Sequence, residues 1–110
     1  MNHVVWNQKV LKELRSFPEE VKDQLGFLIY RLQLGENVGM PQSRSMSSLG
    51  MGCHELRVKD KSGIFRVFYY LKIKDKVLIF HAFQKKTEKT SAKDLEQGKK
   101  NLKEMLNEKV

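Results

Sequence analysis

Apolar and polar positions along this chain change period three times. A short β-rich run, HVVWN (His3–Asn7), opens it and predicts a first strand. Val10, Leu11, Leu14 and Phe17 then recur at helical spacing, which predicts a helix from about Gln8 to Ser16. Pro18 presets the backbone for a new helical turn, and Glu19 and Glu20 suit its positive end. Val21, Leu25, Leu28 and Leu32 line one side of this second helix, and Gly35 stops it. The two helices are expected to form a hairpin.

The stretch GENVGMPQSRSMSSLGMG has no apolar period and is read as a surface loop that could move. A linker between domains is the alternative, but too little chain precedes it for an independent core. Beyond it the period becomes that of strands: His54–Lys59, Ile64–Lys72 and Val77–Phe83, joined through KDKSG and KIKDK. Short turns between neighbours imply antiparallel pairing. The tail starts at Ser91, a good helix cap, with Asp94 three residues on. Leu95, Leu102, Met105 and Leu106 form its apolar stripe. The order β-α-α-β-β-β-α predicts one small α+β domain over residues 1–110, its helices packed on one face of a mainly antiparallel sheet.

Alternation within the strands sorts side chains by face. Leu56 and Val58 belong to the core, and Glu55, Arg57 and Lys59 lie opposite. Phe65, Val67, Tyr69 and Leu71 form an apolar set, leaving Arg66 and Tyr70 on the other side. In the last strand Leu78, Phe80 and Ala82 suit the core, while Val77, Ile79, His81, Phe83 and Lys85 share the open side. Arg57, Arg66, His81 and Lys85 are therefore expected on one sheet face, away from the helices. Arg66 sits between apolar neighbours, and a guanidinium there must find an anion, because an unpaired buried charge costs several kcal/mol. That anion is either a bound phosphate or a structural partner such as Glu55, and parity does not choose.

Charge narrows the partners. The 110 residues carry 21 Lys and Arg against 13 Asp and Glu, a formal net charge of +8, which points to an anionic surface such as RNA, DNA or an acidic protein. Lys85, Lys86 and Lys89 follow directly on an apolar strand whose open side holds His81 and Phe83. Such a run is either a solvated tail or a phosphate track. An aromatic beside cations is how single-stranded RNA is held, the ring against a base and the cations along phosphate.

Other chemistry is sparse. One cysteine, Cys53, cannot close an internal disulfide and has no base placed to activate it. His3, His54 and His81 lack the spacing of a metal site, so no metal or other cofactor is expected. Trp6 reads as core, and the GMG at Gly50–Gly52 opens no phosphate loop. The lone cysteine fits a reducing cytoplasm, and with no charged start before an apolar leader and no apolar run long enough to span a bilayer, neither a signal peptide nor a membrane span is expected.

One set of residues is familiar as a set. LGMGCHELRVKDKSGIFRVFYYLKIKDKVLIFHAFQKKTEKT resembles the core of the HigB-type branch of the RelE/ParE toxin superfamily, whose members often bear the description phage-derived protein. The resemblance rests on ELR, then GIFRVFY, then HAFQKKTEKT, and it covers the second half in motif and the whole chain in element order. It implies a RelE-like fold and the toxin of a type II toxin–antitoxin pair. Toxins of this branch cleave mRNA on the translating ribosome, without a metal. Carried over, Arg57, Arg66, Lys85, Lys86 and His81 would be active-site groups. Phe83, Lys89, Tyr70 and His54 would contact RNA, with His54 standing where relatives carry a bulky apolar residue. The partners implied are mRNA, the ribosome and a small HigA-like helix-turn-helix antitoxin in a hetero-oligomeric complex, with no membrane involved. A ParE-like inhibitor of DNA gyrase and a non-catalytic nucleic-acid-binding module are the alternatives.

Overall fold

A computed structural model describes residues 1–85 and 91–108. Strand β1 (His3–Trp6) leads into helix α1 (Gln8–Arg15), where the Asn7 side chain caps the first turn by accepting from the Lys9 and Val10 amides. Helix α2 (Glu19–Gln33) follows directly and buries Val21, Leu25, Leu28, Ile29 and Leu32. At its end Gly35 takes φ +83°; its amide donates to the Leu32 carbonyl and that of Glu36 to the Arg31 carbonyl. A side chain is rarely tolerated in that backbone conformation, so glycine ends the helix here.

Strands β2 (Ser43–Ser45), β3 (Cys53–Asp60), β4 (Gly63–Tyr70) and β5 (Lys76–Lys85) complete one five-stranded sheet in the order β1-β5-β4-β3-β2. β1 runs parallel to β5, and every other pairing is antiparallel. Helix α3 (Ala92–Asn107) closes the chain, its cap made by Ser91 Oγ accepting from the Asp94 amide. The α+β, mainly antiparallel architecture is the one the patterning predicts.

Three expectations need correction. First, the helices do not share one face. α1 and α2 pack over Leu56, Val58, Phe65, Val67, Val77 and Ile79, while α3 packs over Phe68, Leu78, Phe80 and Phe83 on the opposite side. The reason lies in β4 and β5, whose two faces are both apolar, so one layer of helices would leave the other face in water.

Second, strict alternation fails in β5. Phe68 stands opposite His81 but Tyr69 stands opposite Ile79, so Phe80 is an extra residue, a β-bulge. Before the bulge Val77 and Ile79 face α1 and α2; after it Ala82 does. Phe80 and Phe83 therefore share the α3 face despite odd spacing. β1 pairs with β5 only as far as Ile79, and beyond it the Phe80 carbonyl accepts from Asn101 Nδ2 of α3 at 2.9 Å. Asn101 is itself buried and accepts from Gln97 at 2.8 Å. A polar residue thus replaces one turn of the expected apolar stripe, and Leu106 points outward instead.

Third, much of the expected loop is tied down. β2 pairs with His54–Leu56, and the Ser43 and Tyr69 hydroxyls meet at 2.6 Å in the interior. Met46 and Leu49 are buried under α3.

α3 lies so close to the sheet that a Cβ on Gly98 would come within 2.9 Å of the Phe68 ring. Phe68 is fully buried and has nowhere to yield. Gly98→Val should therefore destabilise the fold by about 1–3 kcal/mol, the range for overpacking a core, read as a lower urea midpoint at unchanged m-value.

Candidate functional site

The pairing register lays the α3 face of the sheet out in rows. The first row reads Arg44, Glu55, Phe68 and His81 across β2, β3, β4 and β5. The second reads Arg57, Arg66 and Phe83, and the third Lys59, Ile64 and Lys85. Neighbouring strands are about 4.8 Å apart, so these groups form one patch. α3 covers the first row from the side of Phe68 and His81, so this is not the open face that parity alone described.

Glu55 is the centre of the patch. It is fully buried, and its Oε1 lies 2.8 Å from Arg66 Nη1, 3.2 Å from Arg44 Nε and 3.6 Å from Arg57 Nε. A carboxylate cannot leave water uncompensated, and a guanidinium on a neighbouring strand answers it with a charge-assisted hydrogen bond. Glu55 is therefore the anion that Arg66 finds, and Arg66 is fully buried with it. Among the described residues, three guanidinium groups share this one carboxylate. The Arg44 side chain is 37% exposed and that of Arg57 14%, so the cluster reaches the surface mainly through Arg44.

His81 stands at the other end of the first row. Its Nε2 lies 3.0 Å from Asp94 Oδ1 in the first turn of α3. Its ring packs on Phe83, centroids 5.2 Å apart at 29°, and on Phe68 at 5.6 Å. Phe83 is 7% exposed, with the Phe68 ring edge-on at 5.3 Å, so its surface is spent on His81 and Phe68. A cleft of about 340 Å³ opens beside His81 and Asp94, walled by Lys9 and Glu13 of α1 and Gln97 of α3.

The expected residues divide accordingly. Arg57, Arg66, His81, Phe83 and Lys85 come together on one face, and Tyr70 lies on the same face, packed against the α3 core. His54 does not join them. It lies on the α1–α2 face, stacked on Tyr69 at 5.2 Å, and burial lowers its pKa, which disfavours a cation there. Lys86 and Lys89 lie outside the described residues. Cys53 is buried, and burial raises its thiol pKa, which keeps it from acting as a thiolate. Among the described residues, no three His, Cys, Asp or Glu side chains converge as metal ligands.

Arg44 and Asp94 are the members that sequence reading missed. Arg44 sits in a three-residue strand flanked by serines, with no apolar alternation to reveal it. Asp94 reads as a helix cap, and only the folded chain brings His81 to it.

The family model described as Phage derived protein Gp49-like (DUF891) matches residues 12–103. The chain belongs to this family. Gp49-like chains are the HigB-like branch of the RelE/ParE superfamily. The fold is similar to that of the isolated RelE toxin of E. coli, with TM-score 0.56 and 19% identity over 91% of this chain and 98% of that one. The intact RelBE toxin–antitoxin complex of E. coli gives a TM-score of 0.49 and 17% identity over 79% of this chain and 100% of that one. At these identities the likeness is one of fold. No curated protein matches the sequence. The patch just described lies within the Gp49-like segment from Arg44 to Asp94.

Removing the centre of the cluster should be costly. Glu55→Gln leaves the buried Arg66 without its carboxylate, and breaking such a pair costs about 3–5 kcal/mol. Equilibrium denaturation of Glu55→Gln at neutral pH measures it. The paired change Glu55→Leu with Arg66→Met should cost less than Glu55→Gln alone, because it removes both charges together.

Proposed function

We propose that this chain is the toxin of a type II toxin–antitoxin pair and that it cleaves mRNA on the translating ribosome. The observation that carries the reading is the convergence of Arg44, Arg57 and Arg66 on Glu55, set in the same sheet rows as His81. Membership of a HigB-like family and the fold shared with a protein described as a toxin support it. The partners are mRNA, the ribosome and a HigA-like antitoxin in a hetero-oligomeric complex, and the site of action is the cytoplasm, where translation takes place.

The chemistry needs no group beyond these side chains. In RNA the ribose 2′-OH attacks the adjacent phosphate in line, and negative charge grows on the phosphoryl oxygens. Arg57 and Arg44, the solvent-facing members of the cluster, meet that charge, and a planar guanidinium suits a phosphate's paired oxygens. Arg66 works from beneath. Its charge reaches the phosphate through a medium of low dielectric while its bond to Glu55 keeps the cluster in place. Lys85, in the third row, extends the cationic track; Lys86 and Lys89 join it on the resemblance alone. Ordering the RNA for in-line attack supplies much of the acceleration.

A second reading draws on the burial of Arg66 against Glu55. A strand arginine already committed to a carboxylate serves a binding protein as well as a nuclease. A ParE-like gyrase inhibitor, or a non-catalytic nucleic-acid-binding module, would use the same arginine cluster.

Primer extension on mRNA from a translation extract separates these readings. Cuts within translated codons are expected. Inhibited supercoiling without cuts would favour the gyrase reading, and neither effect the binding module. Arg57→Ala should cut about 100-fold more slowly, the cost of losing one donor to a developing oxyanion, with its thermal midpoint kept. Full-rate cutting by that variant would remove Arg57 from the site. Ribosome or RNA affinity should also fall steeply with added salt, as phosphate contacts require; a flat response would exclude them.

A further inference from the structure

The ring nitrogen of His81 is held from α3, and this contact has a chemical consequence. Asp94 Oδ1 lies 3.0 Å from His81 Nε2. Its other oxygen, Oδ2, accepts from Ser91 Oγ at 2.6 Å, and the Asp94 amide donates back to that hydroxyl at 3.2 Å. The carboxylate is thus locked at the start of a 16-residue helix, with one oxygen left for the histidine. A carboxylate only accepts, so the proton on a neutral His81 resides on Nε2 and the lone pair on Nδ1. Phe68 and Phe83 hold the ring in plane. Cap, carboxylate and imidazole form an orienting chain beside an open cleft.

Resting on the ribonuclease reading above, we propose that Asp94 is the positioning residue for His81 and that His81 is the general base, acting through Nδ1. Nδ1 takes the proton of the 2′-OH as the O2′–P bond forms. The P–O5′ bond breaks, and O5′ leaves with a proton from solvent, to which the His81 imidazolium then gives up its own. The products are a 2′,3′-cyclic phosphate and a 5′-hydroxyl. The imidazolium formed on His81 lies against the Asp94 carboxylate, which stabilises it as it develops. Lys9 and Glu13 of α1 are the other charged groups lining the cleft. Among the described residues, the ring's hydrogen bond is to Asp94.

Two measurements test this on the full chain. Nitrogen-15 NMR of the isolated protein at alkaline pH should show His81 as the Nε2–H tautomer, and Asp94→Asn should abolish that preference. Single-turnover cleavage by ribosome-bound Asp94→Asn should slow about 10–100-fold, the usual effect of losing a group that orients a histidine, with ribosome affinity unchanged within about two-fold and partial rescue by Asp94→Glu. The thermal midpoint of Asp94→Asn, expected to stay near the parent's, controls for structural loss. A wild-type Nδ1–H tautomer overturns the assignment. So does an Asp94→Asn variant that cuts at the parental rate, or one that slows only as far as a lowered thermal midpoint accounts for. If the parent chain cuts no mRNA, the ribonuclease reading fails and the general-base assignment fails with it, while the tautomer measurement still reports whether Asp94 orients the ring.

Discussion

A buried carboxylate bonded to a buried guanidinium sits at the middle of this molecule. Glu55 and Arg66 face each other from adjacent strands with no exposed surface on either side chain. Hydrophobic residues of similar volume would fill that space at lower desolvation cost. What the pair provides is a fixed point for other cations. Arg44 and Arg57 gather on the same oxygen from β2 and β3, and a short, otherwise featureless strand is thereby committed to the patch. One acid thus gathers arginines from three strands.

The packing serves the same face. Because β4 and β5 are apolar on both sides, α3 must cover the face opposite α1 and α2. Its close approach at Gly98 lets the helix lie on Phe68, and its first turn then meets His81. The bulge at Phe80 matters here. Without the extra residue, the parity of β5 would run unbroken, and Ile79 and His81 would share a face. With it, His81 and Phe83 join the row system of Glu55 and Arg66 while Ile79 stays in the core beneath α1 and α2. Asn101 answers the carbonyl that the bulge leaves at the sheet edge.

The patch is therefore organised by two carboxylates on one face. Glu55 holds arginines within the sheet, and Asp94 holds a histidine from the helix that covers it. In both, a carboxylate sets the geometry of a cation or a potential cation. The aromatic residues in the patch support the histidine and are not offered to solvent.

By itself the sequence determined the longer helices and strands, the α+β class and the shared face of Arg57, Arg66 and Lys85, since a strand's period of two needs only local residues to be read. It carried the family as well, through motifs that hold together only as a set. It could not determine which anion Arg66 meets, because Glu55 and a phosphate satisfy the same demand. Nor could it place His54 apart from the arginines once the resemblance had put it with them, find Arg44 in a stretch without alternation, or foresee that a cap residue of α3 would hold His81. Those contacts join residues 11 to 13 positions apart in the chain. They depend on strand register, on one inserted residue in β5 and on which face α3 covers, all decided by how apolar area is buried across the whole sheet.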